Sequence, residues 1–563
     1  MEIRIKCENT DSEITVKAGT TLKELAEQAL GNTEMPILAA LVDNKLNSLD
    51  YKIINPHHVR FIGYDHPDGR RTYIRSLCFV LQNVIRELYP EKILVIDYSL
   101  PSGLYCEIRE KSQLQDGRPC VYNVSDEEIE TILSRMQEIV AADLPFHKVK
   151  LFPQECIERY EANCQIEKVN LVRSTGRLVY SAYMLDGQTD TFYGPLVPST
   201  GCLKIFDLDS FSKGFCLQYP MDGCSGKVMP RKKQVKLAKA LKEHSDWCAI
   251  MGVKGVGTLN EAVKRGRIVD LINLSEALHE RKYADIADMI YARRDSVKIV
   301  FIAGPSSSGK TSTSKRLAIQ CRILGLNPKV IELDNYFVER SLTPRDENGE
   351  YDFEALGAMD LELLGTQLNQ LLNGEEVEIP RFDFKEGKGY PSGKFMKLEE
   401  KDILIMEGIH ALNPAMIPSV DQSKVFRVYA SALTSLSIDE NNNISTSDNR
   451  MLRRMIRDNR TRGVVPEDTI LRWQSVRRGE NHNIFPFQEN ADAIFNSAHI
   501  FELPVLKYYA EPLLRRIAPS SPAYTEATRI LKFLSYIVEL SPAEIAAIPP
   551  TSILREFIAG QTL

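Results

Sequence analysis

The chain has 563 residues, of which 43% are hydrophobic and 26% charged, with a formal net charge of −6. This length exceeds what one hydrophobic core supports, so we expect about three or more domains. The composition excludes a fibrous or disordered protein, and the net negative charge excludes a global field that attracts nucleic acid.

The cysteine pattern and the apolar runs indicate the compartment. The eleven cysteines form no Cys-x-x-Cys pair, which favours reduced thiols over a disulfide framework or a zinc ribbon. The N-terminal residues MEIRIKCENTDSE are charged and lack the apolar centre of a signal peptide. No apolar run approaches membrane-spanning length. We therefore expect a cytoplasmic protein with no membrane partner.

Residues 1–64 have the pattern of a small α/β unit. Glu2 to Lys6 alternates as a strand does, and Ser12 to Val16 is its predicted hairpin partner. Thr21-Leu-Lys-Glu24 is a capping box that begins a helix. Further strands are predicted at residues 38–42 and 59–62. The unit resembles a β-grasp domain of the TGS type, found at the N-terminus of threonyl-tRNA synthetases; a generic ubiquitin-like docking unit is the alternative.

Residues 65–225 contain two segments that resemble the editing domain of threonyl- and alanyl-tRNA synthetases. One is the helical segment from Arg75 to Pro90, and the other is Thr191 to Gly201, TFYGPLVPSTG. In that family the helix carries two histidines four residues apart, and the second signature carries a cysteine and a histidine. Together they make a metal-binding, deacylating site. The matching positions here are Arg75, Phe79, Phe192 and Leu196.

These four side chains cannot bind zinc or activate its water. We therefore expect an α+β domain with an editing-like scaffold but without the metal ligands. A structural, RNA-binding or regulatory role is favoured over editing, and contact between the N-terminal half and tRNA is one expected role.

Residues 226–296 are predicted to be a helical connector. The segment from Lys232 to Lys242 is basic and periodic, and two further helices are predicted at Leu259 to Leu274 and at Ser275 to Ala292.

A phosphate-binding loop begins the last large domain, residues 297–515. The β-branched run from Val297 to Ala303 predicts a buried strand, and a helical pattern that ends near Gly325 follows the loop. Between them, the sequence satisfies G-x-x-x-x-G-K-[ST] without a mismatch. The predicted ATP-binding residues are Gly304, Pro305, Ser306, Ser307, Ser308, Gly309, Lys310 and Thr311. Lys310 is expected on the β- and γ-phosphates, and the Thr311 hydroxyl on Mg²⁺.

Two carboxylates follow predicted strands at the edge where ligands bind in open α/β sheets. Asp334 ends the strand from Lys329 to Leu333, where it would take a proton from a substrate hydroxyl, or else cap a turn. Glu407 ends the strand from Asp402 to Met406, where it would hold Mg²⁺, or else cap nearby amides.

Arginines are concentrated between Arg450 and Arg462. Arg450, Arg453, Arg454 and Arg457 recur at helical spacing. A closing lid that neutralises charge on a transferring phosphoryl group is one interpretation; a solvated basic face or an RNA contact is another. The phosphate-binding loop favours the lid.

The segments from residue 297 to about 510 together resemble the uridine kinase and phosphoribulokinase family, in the family's order. The resemblance implies that Asp334 is the catalytic base and that Arg457 and Arg462 belong to the lid. It also implies a substrate pocket lined by Asp334, Phe337, Phe382 and Asp383. The segments that carry it are LDNYF (333–337), YDF through MD (351–360), PRFDF (380–384), IMEG (405–408), RRMIRD to RG (453–463) and ENAD (489–492).

The chain departs from this family at the residues that would recognise the base of a nucleoside. Phe382 replaces a tyrosine, and Lys385-Glu386-Gly387 lacks the family's histidine. The family has a glutamine after the lid. Here that residue is either Gln474, one position out of register, or it is replaced by Trp473. Hydrogen-bonding groups carry most substrate discrimination. Because the groups that would bind the base are altered, the sequence predicts a sugar hydroxyl as the acceptor but does not specify the base.

The combined expectation is a multidomain α/β protein whose C-terminal P-loop kinase has a parallel sheet flanked by helices. We expect an ATP- and Mg²⁺-dependent nucleoside kinase that acts on a ribonucleoside 5′-hydroxyl and forms a homo-oligomer. A phosphosugar or other small alcohol is the alternative acceptor, and an ATP-driven regulator associated with tRNA or the ribosome is the alternative of another class. Residues 516–563 are predicted to be a helical tail, with helices at Ala523 to Leu540 and Pro542 to Ala547.

Overall fold

The computed structural model describes all residues except 32, 34, 116–117, 223–224, 231–233, 346–348, 350 and 435. In the N-terminal unit, β1 pairs with β2 antiparallel and with β5 parallel, and the strand order is β2-β1-β5-β3-β4. Helix α1 begins with the predicted capping box at Thr21. The elements are β1 (Glu2–Cys7), β2 (Ser12–Lys17), α1 (Leu22–Leu30), β3 (Ala39–Val42), β4 (Lys45–Asn47) and β5 (His57–Ile62).

The second region packs the long helix α2 against an antiparallel sheet of order β12-β13-β7-β6, and a separate sheet has the order β11-β10-β9. Its elements are α2 (Pro67–Leu88), β6 (Lys92–Leu100), β7 (Gly103–Gln115), β8 (Arg118–Tyr122), α3 (Asp126–Ala141), β9 (His147–Leu151), α4 (Pro153–Ala162), α5 (Ile166–Thr175), β10 (Tyr180–Leu185), β11 (Gln188–Thr191), β12 (Asp207–Phe211) and β13 (Gly214–Gln218).

The connector is helical, with bounds that differ from those predicted. It contains α6 (Val235–Ile250), α7 (Val256–Lys264) and α8 (Ile268–Ala292). The prediction of a helix boundary at Ser275 is wrong, because the chain turns at Gly266 (φ +71°). The Ser275 hydroxyl instead bonds to His499 Nδ1 at 2.9 Å inside a continuous helix. The predicted basic segment begins at Lys232, which lies outside the described residues.

The C-terminal region contains the predicted parallel sheet flanked by helices. The strand order across the sheet is β15 (Asn327–Glu332), β18 (Asp402–Glu407), β14 (Ile299–Ala303), β19 (Val425–Ser431) and β22 (Ala493–Asn496). Both faces are buried: Ile299, Phe301 and Ala303 of β14 pack in one core, while Val300 and Ile302 pack against α8 and α9 in another. Side chains that alternate between two apolar faces are typical of such sheets.

The elements that follow the connector are β14 (Ile299–Ala303), α9 (Lys310–Ile323), β15 (Asn327–Glu332), α10 (Leu361–Leu372), β16 (Val377–Asp383), β17 (Lys388–Met396), β18 (Asp402–Glu407), β19 (Val425–Ser431), β20 (Ser437–Asp439), β21 (Asn442–Asn443), α11 (Thr446–Arg462), α12 (Pro466–Asn483), β22 (Ala493–Asn496), α13 (Glu502–Leu514), α14 (Tyr524–Leu534), α15 (Pro542–Ala546) and α16 (Arg555–Ile558). Among the described residues, no helix combines the length and apolar character that a membrane crossing requires.

The tail helix predicted to reach Leu540 ends at Leu534. The side-chain amide of Asn260 donates to the Tyr536 carbonyl at 2.7 Å and accepts from the Val538 N–H at 2.9 Å. These bonds satisfy backbone groups outside a helix, so the chain leaves the helix at this point.

Candidate active site

The loop between β14 and α9 has the backbone that an anion site needs. Gly309 lies in the left-handed region at φ +80°, and a Cβ on Gly304 would lie 1.9 Å from the Ala430 carbonyl oxygen. The hydroxyls of Ser307 and Ser308 are buried without a hydrogen-bond partner among the described residues. Buried orphan donors at a helix N-terminus fit an oxygen-rich anion such as a phosphate chain.

Thr311 and Glu407 meet at the mouth of this loop. The Thr311 hydroxyl donates to Glu407 Oε1 at 2.5 Å. Glu407 ends β18 and is paired in register with Ile302 and Glu332 on the neighbouring strands. Burial raises the pKa of Glu407 to about 7, although Lys310 and the Thr311 hydroxyl oppose the rise. The two predicted metal-holding residues are therefore adjacent.

A hydroxyl beside a carboxylate suits Mg²⁺, which keeps waters and phosphate oxygens as its other ligands. Within the described part of the chain, no group of three or more His, Cys, Asp or Glu residues is placed to hold a metal ion by itself. The Thr311 hydroxyl and the Glu407 carboxylate fit a metal ion whose other ligands are water and phosphate oxygens.

Asp334 lies just beyond β15, in the 3₁₀ turn Leu333–Tyr336. Desolvation in the cleft raises its pKa, and Lys310 and Arg462 oppose the rise, although the residue remains open to solvent. An accessible carboxylate near the loop lysine is placed as a base that acts on a bound hydroxyl should be.

Glu354 is a residue of this site that sequence reasoning missed. Burial raises its pKa to about 7, with Glu480 and Asp334 adding to the rise and Arg454 and Lys310 opposing it. Glu354 belongs to a segment compared with the family, but no local spacing distinguished it from other surface glutamates.

The arginine helix α11 packs on the phosphate-binding loop. Arg450 and Arg453 are fully buried, each paired through two nitrogens with a buried carboxylate, Glu480 and Glu502 respectively. Arg450 also donates to the Ser306 carbonyl at 3.0 Å. The charges of these two arginines are therefore paired inside the protein, by Glu480 and Glu502.

Arg454 and Arg462 interact with carboxylates of the cleft, Glu354 and Asp334 respectively, and Arg457 lies between them on the same helix. Arg454 Nη1 donates to Ser306 Oγ at 2.9 Å. Arg457 and Arg462 share Asp458 as a partner, at 3.1 and 3.3 Å. Arg462 keeps 60% of its side chain exposed, and it is one of the cations that lower the pKa of Asp334.

The predicted acceptor residues divide into two groups. Phe337 and Phe382 form an aromatic cluster with Phe384, with ring centroids 5.1 to 6.1 Å apart. Asp383 instead accepts from the backbone N–H groups of Glu386 and Lys385, which lower its pKa. A cavity of about 650 Å³ lies between Phe337, α10 and the β16–β17 hairpin.

In the N-terminal half, three of the four residues that were predicted to replace metal ligands lie in one apolar core. Phe79 and Phe192 pack with ring centroids 5.0 Å apart, and Leu196 belongs to the same apolar cluster. Arg75 donates to the Pro195 carbonyl at 2.7 Å.

Comparison with known proteins finds relatives for both halves. Residues 299–502 match the Phosphoribulokinase / Uridine kinase family. The uridine kinase of Macrococcus caseolyticus is 32% identical over 197 residues, which are 35% of this chain and 86% of that protein.

The N-terminal region is similar to the threonine–tRNA ligase of Desulforamulus reducens, with 26% identity over 198 residues. The match covers 35% of this chain and only 30% of the ligase. Among solved structures, a possible uridine kinase from Bacillus stearothermophilus aligns with a TM-score of 0.27 at 20% identity, covering 38% of this chain and 98% of that one.

Proposed function

The chain belongs, through its C-terminal region, to the phosphoribulokinase and uridine kinase family, and on that premise we propose that it transfers the γ-phosphate of ATP to the 5′-hydroxyl of a ribonucleoside. The observation that carries the proposal is the convergence of Lys310, Asp334 and the Thr311–Glu407 pair at the carboxyl edge of the sheet.

Each group has a role that follows from its position. Lys310 places a positive charge on the phosphates, and the loop N–H groups orient them. Thr311 and Glu407 hold Mg²⁺, which neutralises charge on the phosphate oxygens when it is bound with ATP. Asp334 accepts the proton of the acceptor hydroxyl. Arg457 and Arg462 supply further positive charge, and the Phe337–Phe382 cluster forms the wall of the acceptor site.

The test is a screen of nucleosides, phosphosugars and small alcohols for ADP release by the full-length protein. We expect a ribonucleoside to give the highest kcat/KM, and a 5′-deoxynucleoside, which lacks the accepting hydroxyl, to give none. Activity with alcohols but with no nucleoside would contradict the proposal.

A different acceptor is the second candidate, because the groups expected to read a base are altered. Phe382 has no hydroxyl, Lys385-Glu386-Gly387 has no histidine, and Asp383 binds its own turn. The same screen identifies a phosphosugar or other small alcohol by the highest kcat/KM.

A regulator associated with tRNA or the ribosome is the candidate of another class. The similarity of the N-terminal region to a threonine–tRNA ligase favours it, as does a direct contact between the two halves. Tyr193 donates to Asp439 Oδ2 at 2.6 Å, and Asp439 lies a few residues before the arginine helix. Repeating the screen with added tRNA separates this candidate, for which ADP release depends on RNA.

A further inference from the structure

The last fifteen residues, 549–563, lie along the helix that follows the phosphate-binding loop. Ile553 Cδ1 is so close to Gly309 that a Cβ there would lie 2.4 Å from it. Gln561 Nε2 donates to Ser312 Oγ at 2.7 Å, and Lys315 Nζ donates to the Leu563 carbonyl at 3.0 Å. The contacts follow α9 from its first turn into its second.

This segment is anchored in the core. Ile553, Leu554, Phe557 and Ile558 are each 4% exposed or less. Ile553 packs in the cluster beneath the parallel sheet, while the other three pack in the cluster that contains α11 and α13. Buried apolar anchors on two sides fix the polar residues between them.

Glu556 lies between these anchors and joins two elements of the site. Its Oε2 accepts from Ser312 Oγ at 2.5 Å. Its Oε1 lies 3.7 Å from Arg457 Nη1, and the Glu556 side chain is only 16% exposed. One carboxylate therefore contacts both the helix that carries Lys310 and the helix that carries Arg457.

The backbone of Glu556 and Phe557 and the Phe557 ring make further contacts between the tail and α11. Arg460 donates to the carbonyl oxygens of Glu556 and Phe557, at 3.0 and 3.3 Å. The Arg457 guanidinium lies 5.9 Å from the centre of the Phe557 ring, on which Arg453 also lies at 4.9 Å. Arg457 is thus held by Asp458 from its own helix and by Glu556 and Phe557 from the tail.

We propose that Glu556 is a positioning residue of the phosphoryl-transfer site, fixing the Arg457 guanidinium relative to the phosphate-binding loop. The inference rests on the proposed function, because it assigns Arg457 to the transferring phosphate. A charge aimed in advance at the place where negative charge develops lowers the barrier without reorganisation. A guanidinium released from Glu556 would have to be reoriented in each turnover.

The decisive experiment is a double-mutant cycle on the full-length protein with Glu556→Gln, Arg457→Gln and both changes. Glutamine keeps an acceptor for Ser312 but removes the charge that faces Arg457. We expect Glu556→Gln to lower kcat about tenfold in the parent, with a smaller change in the KM for ATP. In the Arg457→Gln background the same change should cost less than about twofold, because a residue that acts through Arg457 has nothing left to position.

Two further variants serve as controls for the double-mutant cycle. Glu539→Gln changes an exposed glutamate of the same tail and should leave kcat unchanged. Glu556→Asp keeps the charge and should retain more activity than Glu556→Gln; it replaces that variant in the cycle if the glutamine protein does not fold. Equal losses in both Arg457 backgrounds would overturn the inference.

Measurements of MgATP binding distinguish a failure of this inference from a failure of the proposed function. The same cycle is measured on the affinity for MgATP by calorimetry, which needs no acceptor. A parent protein that transfers phosphate to none of the acceptors contradicts the proposed function, while non-additive MgATP affinities still support positioning by Glu556. An active parent with additive effects contradicts the inference about Glu556 alone.

Discussion

Lys310 is the cation shared by the carboxyl groups of the cleft. Desolvation in the cleft raises the pKa of Asp334, Glu354 and Glu407, and in each case Lys310 opposes the rise. The Lys310 ammonium makes a long hydrogen bond of 3.4 Å to the Pro305 carbonyl. Because this hydrogen bond is long, the ammonium group can exchange it for a bound phosphate.

Replacing Lys310 by alanine is therefore expected to abolish phosphate transfer. The loss should be roughly 100-fold or more in kcat, the size of such electrostatic contributions. Steady-state ADP release measures it, and circular dichroism serves as the control for folding. A variant within threefold of the parent would contradict the role of Lys310.

Asp334→Asn should separate binding from chemistry. Asparagine keeps the shape of the side chain and a hydrogen bond to the acceptor, but it cannot take the proton. Removal of a general base costs about 100- to 10,000-fold, and the lower end is expected because the proton moves late in a loose transition state.

The affinity for ATP should hardly change in Asp334→Asn, because the loop supplies nucleotide binding. Turnover and nucleotide affinity are measured on the same protein. If turnover persists, Asp334 is a turn residue; if ATP affinity falls together with turnover, Asp334 holds the metal instead.

Glu407→Gln should stabilise the nucleotide-free protein while it removes activity. A carboxyl group with a raised pKa binds more protons in the folded state than in the unfolded state, so the free energy of unfolding falls as pH rises from about 4.5 to about 7. A shift of this size corresponds to roughly 3 kcal/mol. Glutamine carries no such penalty and still accepts from Thr311.

The measurement is the melting temperature of parent and variant at pH 5 and pH 8. The gain from Glu407→Gln should be larger at pH 8. Glu375→Gln, at an exposed site, is the matched control. Equal gains at both pH values would show that the carboxyl group of Glu407 is not destabilised by burial.

At the scale of elements, the β20–β21 hairpin connects the two halves. Asn441 Oδ1 accepts from Lys168 Nζ and Gln82 Nε2, both at 2.9 Å, and its Nδ2 donates to the Leu94 carbonyl at 3.1 Å. Lys168 is also paired with the buried Asp190. The hairpin leads directly into α11, so a buried network of the N-terminal half supports the arginine helix.

Asn441→Ala should destabilise the full-length protein by about 2–4 kcal/mol, because several buried donors and an acceptor lose their partner together. Urea unfolding followed by fluorescence measures the change. Asn443→Ala is the control, since Asn443 makes an exposed bond of 2.6 Å to Ser99 Oγ and should cost less than about 1 kcal/mol. Similar losses for both variants would mean that the Asn441 network adds little.

At the scale of the whole molecule, the N-terminal half is similar in sequence to a threonine–tRNA ligase but has apolar core residues at three of the four positions predicted to correspond to metal ligands. Phe79, Phe192 and Leu196 are each 5% exposed or less. We predict that the full-length protein binds no stoichiometric zinc and does not deacylate mischarged tRNA. Metal analysis by mass spectrometry and a deacylation assay check this, with an active threonyl-tRNA synthetase as the positive control. One tightly bound zinc per chain would show that the positions are matched wrongly.

The sequence by itself determined the local features of the kinase region. The loop motif fixed Gly304 to Thr311 between a strand and a helix, and the apolar runs located β14, β15 and β18. These features can be predicted because the residues of a phosphate-binding loop are consecutive in the sequence. The carboxyl ends of parallel strands also lie along one edge of the sheet, where ligands bind. The positions of Asp334 and Glu407 at the ends of their strands were therefore predictable, and their roles as base and metal ligand stay predictions.

Only the tertiary structure decided which charges pair and which remain available. The partners Arg450–Glu480 and Arg453–Glu502 are 30 and 49 residues apart, and Glu556 reaches Ser312 across 244 residues. No local period records such contacts, because packing brings the partners together after the elements have formed. For the same reason, the bonds from Asn260 to Tyr536 and Val538, which lie outside the tail helix, could not be predicted from the sequence pattern.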